Sequence, residues 1–353
     1  MSGTTPLGPS GPANSLNAGT ASPAVMIGEP PPDRRRTLAQ RLMARQSSWV
    51  AVGLIVICLI MSWISPDAFA TMDNFYNITR NFAFIGMMAL GMTAVIITGG
   101  IDLSVGSLMG LVGIVSGLCL QAGLPWYVAM IAGLLTGLAT GAVNGVLIAY
   151  LKLSPFVVTL GMLSIARSLA IVLSGNRMIY DFGPDAETVF WIGGGDMLGI
   201  ANPVWMLLIM TAFFAFIFAF SGWGRYLYAI GGNEQAARLT GVPVDGIKLQ
   251  AYMVSALTAS ISAVMIIGWQ GSAINALGQG YELRVIASAV IGGANLMGGE
   301  GGAFGAFIGA ALIEVIRNSL LMAGVDSNWQ GAFVGVFIIL AVLLEKIRGR
   351  KAD

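Results

Sequence analysis

The segment VIITGGIDLSVGSLMG, residues 95–110, holds a helix end, a break and a second helix start within one short run. An apolar stretch runs into Thr98, Gly99 and Gly100 interrupt it, and Ile101 to Ser104 form a brief polar turn before a helix of small residues begins. Paired glycines stop helices because their backbone is free to leave the helical region. Residues 290–305, VIGGANLMGGEGGAFG, follow the same plan, with Val290 set beside Val95. Apolar segments joined by so few residues predict broken or re-entrant helices, and duplicated halves are a common transporter plan.

Composition carries this reading to the whole chain. The 353 residues are 56% hydrophobic and only 10% charged, too few charges to clothe a soluble surface. Absence of histidine excludes a histidine triad, metal ligand or proton relay. Cys58 and Cys119 sit in apolar runs and read as small core residues, with no disulfide or metal framework and no cofactor implied. A net charge of +1 gives no case for nucleic acid. Glycine runs at Gly106, Gly110 and Gly113, and at Gly301, Gly305 and Gly309, predict close backbone packing between helices.

The expected fold is an all-α polytopic membrane protein of about ten transmembrane helices, spanning approximately 48–65, 82–98, 103–121, 126–149, 156–174, 203–220, 249–268, 284–298, 303–322 and 330–345. Residues 1–47, rich in Pro, Gly, Ser and Thr and ending in a basic cluster, read as a disordered cytoplasmic tail without a cleavable signal, and 348–353 as a second cytoplasmic tail. With both ends inside, thirteen Lys and Arg fall on the inner side and only Arg80, Arg177 and Arg284 outside, as the positive-inside rule asks. An outer segment, 175–202, and an inner one, 221–248, are then long enough to carry function.

In the inner segment, Asn233 reads as an N-cap, Glu234 to Leu239 as a short helix, and Gly241 with Pro243 as its stop. Glu234 and Arg238 are four residues apart, and Ala236 and Ala237 offer a small surface to a partner groove. Such a helix suits docking, although an amphipathic loop helix on the membrane surface fits the same residues.

TGGIDLSVGS (98–107), GRYLYAIGGNEQAARLTGVPVDGIK (224–248), VIGGANLMGGEGG and GAFGAFIGAALIEVIRNSL together resemble the membrane permease of bacterial ribose-type sugar ABC importers, over about 48–347. The resemblance implies a non-enzymatic membrane subunit of the bacterial inner membrane, working with a tandem-domain ATP-binding subunit, a periplasmic sugar-binding protein and a second permease, identical or not. It also implies that the short helix is the coupling element, through Gly232, Glu234, Ala236, Ala237, Arg238 and Gly241. Gln235 interrupts the family's Glu-Ala-Ala run. The chain holds no G-x-x-x-x-G-K-[ST] phosphate loop, so ATP chemistry of that kind must come from another polypeptide. An ion-coupled transporter or channel is the alternative, for which buried acids are few.

Candidate path or gating residues are Asp102, Asn144, Arg167, Asn295, Glu314, Arg317 and Asn318. Asp102 reads as N-cap of the third span or as a gate. Asn295 lies near its equivalent in the second break. Glu314, Arg317 and Asn318 share one helical face, either as a self-neutralised pair or as a polar stripe with Arg167 and Asn144 as partners. The acidic 175–202 segment reads as a binding-protein dock or a solvated connector.

Overall fold

The computed structural model describes residues 46–326, together with 329, 331–333, 335, 336 and 339. The N-terminal tail to residue 45, the C-terminal tail and most of the expected span over 330–345 lie outside the described residues. The helices are α1 (Gln46–Ile64), α2 (Pro66–Phe69), α3 (Met72–Ile97), α4 (Val105–Gln121), α5 (Trp126–Ala149) and α6 (Pro155–Ser174). After a 3-10 turn at Gly183–Asp185 come α7 (Ala186–Gly194) and a two-stranded antiparallel hairpin, Asp196–Met197 with Ile200–Ala201. Then follow α8 (Asn202–Phe220), α9 (Gly222–Gly232), α10 (Glu234–Leu239), α11 (Val244–Gln270), α12 (Tyr281–Ile291) and α13 (Ala303–Met322).

Among the described residues, seven helices are long and apolar enough to cross a membrane: α1, α3, α5, α6, α8, α11 and α13. The all-α polytopic expectation holds. α3 and α11 form the centre and are buried over most of their length, whereas α1 buries almost nothing and packs from outside against α13. α5 meets α4 and α11 along Gly133, Gly137, Gly141 and Gly145, one residue per turn on one face. A Cβ on Gly141 would stand 2.8 Å from the Tyr252 carbonyl oxygen, so the α5 and α11 backbones touch there.

Two spans depart most from expectation. α3 starts at Met72, ten residues before the expected span, with Thr71 as N-cap accepting from the Asn74 amide at 3.2 Å. Its polar first turns look like loop in sequence, but inside the helix Asn74, Thr79 and Arg80 find partners. Asn74 pairs with Asn318, and Arg80 donates to Asn77 at 2.7 Å while lying 4.6 Å over the Trp269 ring.

The eighth expected span, 284–298, is replaced by a half-helix. α12 has 11 residues, about 16 Å at 1.5 Å per residue, half of what a bilayer core requires. Residues 271–280, between α11 and α12, run without helix along the glycine face of α4. Ala273 packs on Gly117, the Asn275 carbonyl would be 2.7 Å from a Cβ on Gly110, and the Gly278 carbonyl 2.5 Å from one on Gly106. Eleven residues of α4 separate Gly106 from Gly117, so this strand of chain descends about 16 Å into the bundle before α12 starts. Non-helical backbone at that depth is tolerable only where protein covers it, and the α4 glycines let it come close enough to be covered.

Candidate functional site

The 175–202 and 221–248 segments meet opposite ends of α11: Gly193 packs on Met265 and Gly268, whereas Arg238 and Glu234 bind Asp245 and Lys248. Arg284, expected on the outer side, instead lies two residues past Glu282, whose amide reaches Gly106 in the first turn of α4. At one end the Ile179 and Ala273 backbones pair, and Asp185 accepts from the Trp126 amide at 2.8 Å, capping α5. At the other end lie both helix breaks, Lys152, α9 and α10.

Asn233 caps α10 as its sequence predicts, its Oδ1 accepting from the Ala236 amide at 2.9 Å. The stop is a Schellman motif: Gly241 has φ +86°, its amide bonds Arg238 O at 3.2 Å, and the Val242 amide bonds Ala237 O at 3.0 Å. The direction of the helix corrects one sequence expectation. Ala237 is buried at 4% exposure against the protein itself, so it cannot face a partner. The outward face is Gln235, Ala236 and Leu239, the last 89% exposed, with Gly232 and Gly241 also open.

Charge fixes that orientation. Arg238 forks onto Asp245, with bonds of 2.8 and 3.0 Å, and reaches Glu234 at 3.3 Å. Lys248 donates to Glu234 at 2.5 Å, and Lys152 from the 150–154 loop also binds Asp245. Donating to the Asp245 carboxylate pushes the Arg238 guanidinium further above its usual range, against the opposing effect of desolvation. Burial pushes Glu234 up, but the Lys248 and Arg238 donors outweigh it and leave its carboxyl below the ordinary glutamate value. The Glu234 contribution is therefore present above the ordinary glutamate range and is lost only as pH falls through the lowered value. Exposed pairs of this kind stabilise little, and their effect here is to hold α10 on the start of α11.

The two breaks share a cap. The Gly99 amide bonds Ile96 O at 2.8 Å and the Gly100 amide bonds Val95 O at 3.1 Å; the Gly293 amide bonds Val290 O and the Ala294 amide bonds Ala289 O, both at 2.9 Å. Gly99 and Gly293 have φ of +77° and +104°. Gly99 thus corresponds to Gly293, one residue off the alignment that set Val95 beside Val290. In both breaks an Asx side chain accepts from the amide two residues on: Asp102 from Ser104 at 3.0 Å, Asn295 from Met297 at 2.8 Å.

Asp102 is not itself the residue adjoining α4; Ser104 is. Its carboxylate is fully buried and accepts from the Ser104 amide and hydroxyl and from the Ser255 hydroxyl at 3.0 Å. Asn144 donates to Ser104 at 3.0 Å, so the structure brings Asp102 and Asn144 together through one serine. This cluster ties the first break to α5 and α11.

Arg167 and Asn144 are not partners of Glu314 and Arg317. Arg167 instead donates to the Asn275 and Leu277 carbonyls, the latter at 3.0 Å, with Glu282 supplying nearby negative charge. It thereby satisfies the descending backbone of residues 271–280, which no sequence pattern announces. Replacing Arg167 with Met should leave those two carbonyls without their donor and cost about 2–6 kcal/mol, taking roughly 1–3 per orphaned group. A fall of several degrees in the melting temperature of purified protein, partly restored by Arg167→Lys, would be the check. Glu314, 1% exposed, accepts from two guanidinium nitrogens of Arg317, Nε and Nη2, and Asn318 exchanges hydrogen bonds with Asn74 at 2.8 and 3.2 Å. The polar face of α13 is thus occupied, by the pair within the helix and by Asn74 of α3.

The family described as "Branched-chain amino acid transport system / permease component" matches residues 74–342. The ribose import permease protein RbsC of Escherichia coli (strain K12) is 38% identical over 312 residues, 88% of this chain and 96% of that protein. The D-allose transport system permease protein AlsC of the same strain is 34% identical, covering 83% and 90%. The autoinducer 2 import system permease protein LsrD of Enterobacter sp. (strain 638) is 35% identical, covering 75% and 82%. With the match running through both broken helices and the α9–α10 loop, the chain belongs to this family of ABC-transporter permeases, as a multi-pass membrane subunit rather than an enzyme.

Proposed function

We propose that this chain is the transmembrane permease of an ATP-driven importer for a monosaccharide of the ribose type, or a related sugar or polyol, in the bacterial inner membrane. A separate tandem-domain ATP-binding subunit supplies the energy, a periplasmic binding protein delivers the sugar, and a second permease, identical or not, completes the path. The observation that carries the reading is α10: a rigidly capped helix, braced by five charged residues, that turns Ala236 and an almost bare Leu239 outward. An exposed leucine on a braced helix outside the spans suits a protein groove. ATP-driven closure of the partner then moves α10, and the bundle alternates between inward and outward openings. Both termini and the 221–248 segment are cytoplasmic in this reading, and 175–202 faces the binding protein.

The test is reconstitution. Permease co-expressed with the tandem ATP-binding subunit should co-purify with it, and ribose-loaded binding protein should stimulate ATP hydrolysis and ATP-dependent ribose uptake in proteoliposomes. Failure to associate, or uptake driven by an ion gradient without ATP, would overturn the reading. Orientation has its own check in a variant lacking Cys58 and Cys119. A cysteine at Gln235 should react with impermeant maleimide only after the cytoplasmic side is opened, and one at Leu198, 86% exposed on the hairpin turn, should react in spheroplasts. The reverse pattern would invert the topology.

A further inference from the structure

We propose that Gly231 is the positioning residue through which movement of α10 reaches the two helix breaks, a step that rests on the importer reading. A single extended residue, Asn233, separates α9 from α10; its amide bonds Ala229 O at 3.1 Å to end α9 and its carbonyl accepts from the Ala237 amide at 2.9 Å to start α10, so the link between the two helices has no slack beyond one residue. The far ends of α3 and of the second break are themselves joined: the Gly299 amide donates to Ile97 O at 2.9 Å. Gly231 lies on that bond. A Cβ there would fall 1.9 Å from Ile97 O and 2.2 Å from Gly299 N, whereas one on the next residue, Gly232, would meet nothing within 4 Å. Three residues earlier on the same face, the Tyr228 hydroxyl donates to Gly301 O at 2.9 Å.

These contacts give α9 a two-point grip on the second break and a direct seat on the first. Backbone meets backbone at Gly231, so no side chain can rotate to absorb a displacement. The segments it touches can yield by backbone rotation, since Gly99, Gly298 and Gly299 all have positive φ, between +77° and +95°. Tight packing passes such a shift on as a discrete rearrangement. Motion of α10 therefore arrives at the Ile97–Gly299 bond, where the ends of both repeated units move together.

The experiment uses the full transporter with Gly231→Ala, with Gly246→Ala as control, since Gly246 sits in open space at the same end. Gly231→Ala should co-purify with the ATP-binding subunit and keep basal ATP hydrolysis within about twofold, because the outward face of α10 is untouched, while uptake per ATP falls roughly tenfold. Gly246→Ala should match the parent. A parental coupling ratio in Gly231→Ala would overturn the proposal. If Gly231→Ala does not fold, Tyr228→Phe decides: it removes one hydroxyl, and uptake per ATP should fall severalfold, with an unchanged ratio overturning the proposal. Hydrogen exchange of the Gly299 amide tests the contact apart from the importer reading. It should quicken roughly tenfold in Tyr228→Phe or Gly231→Ala even in permease alone, and unchanged protection would sink the proposed grip. A parent that binds no ATP-binding subunit would refute the importer reading and leave this measurement standing.

Discussion

Tryptophan in place of Ala236 is expected to abolish uptake while the permease still inserts, folds and keeps its parental melting temperature. Ala236 is exposed on α10, and its backbone amide is held by Asn233, so an added indole projects outward without disturbing the cap. The ATP-binding subunit would meet that ring where it needs a small residue. Leu239→Ser should act in the same direction by subtraction. Burying a leucine contributes about 2 kcal/mol, so its loss should weaken docking roughly thirtyfold without touching the fold, since the side chain is 89% exposed. Ala237→Trp is the contrasting case. That site is 4% exposed, and the variant should lose folded protein before any docking question arises. Co-purification stoichiometry and sugar-stimulated ATP hydrolysis measure the first two variants, and yield of monodisperse protein measures the third. Normal stoichiometry and uptake with Ala236→Trp would remove α10 as the docking element.

The contrast between Ala236 and Ala237 shows what sequence could and could not supply. Asn233, Glu234, Arg238 and Gly241 were legible because caps, helical spacing and positive-φ stops are local, decided by residues within one or two turns. Which alanine faced outward was not, because six residues make too short a helix for periodicity to fix a face. The same limit explains the eighth span. Residues 284–298 are apolar enough to look like a helix, yet the descending backbone of 271–280 depends on Gly106, Gly110 and Gly117 of α4 and on the Arg167 donor, all distant in sequence. Arg167 looked like a path residue for that reason: a lone arginine in an apolar run announces a polar partner without naming it. The break-helix plan was legible from the repeated Gly-Gly, but not the Gly299–Ile97 bond that joins the breaks, since it is made by backbone alone. The early start of α3 was missed because Asn74 finds its partner, Asn318, only across the fold.

Glutamine at position 314 should harm the protein more than glutamine at 314 and 317 together. Glu314 is 1% exposed and receives two guanidinium nitrogens from Arg317, one turn along α13. Removing only the acid leaves a largely buried cation whose solvation has already been lost. Breaking a buried pair from one side generally costs about 3–5 kcal/mol, and the Arg317 side chain, 22% exposed, can relieve part of that by turning toward water, so about 3 kcal/mol is expected here. With Gln at both positions no net charge is buried, and the two amides can still hydrogen-bond each other across one helical turn; stability should return to within about 1 kcal/mol of the parent. Asn318 and Asn74 provide an internal control, because their reciprocal bonds anchor the adjacent turn to α3 in every variant. The measurement is a double-mutant cycle on melting temperature and on ATP-dependent uptake. A large negative coupling, with the double variant better than Glu314→Gln, identifies a pair that exists to neutralise itself. Additive losses in uptake with little change in melting temperature would instead put the two side chains in separate contact with the sugar, and α13 would line the path.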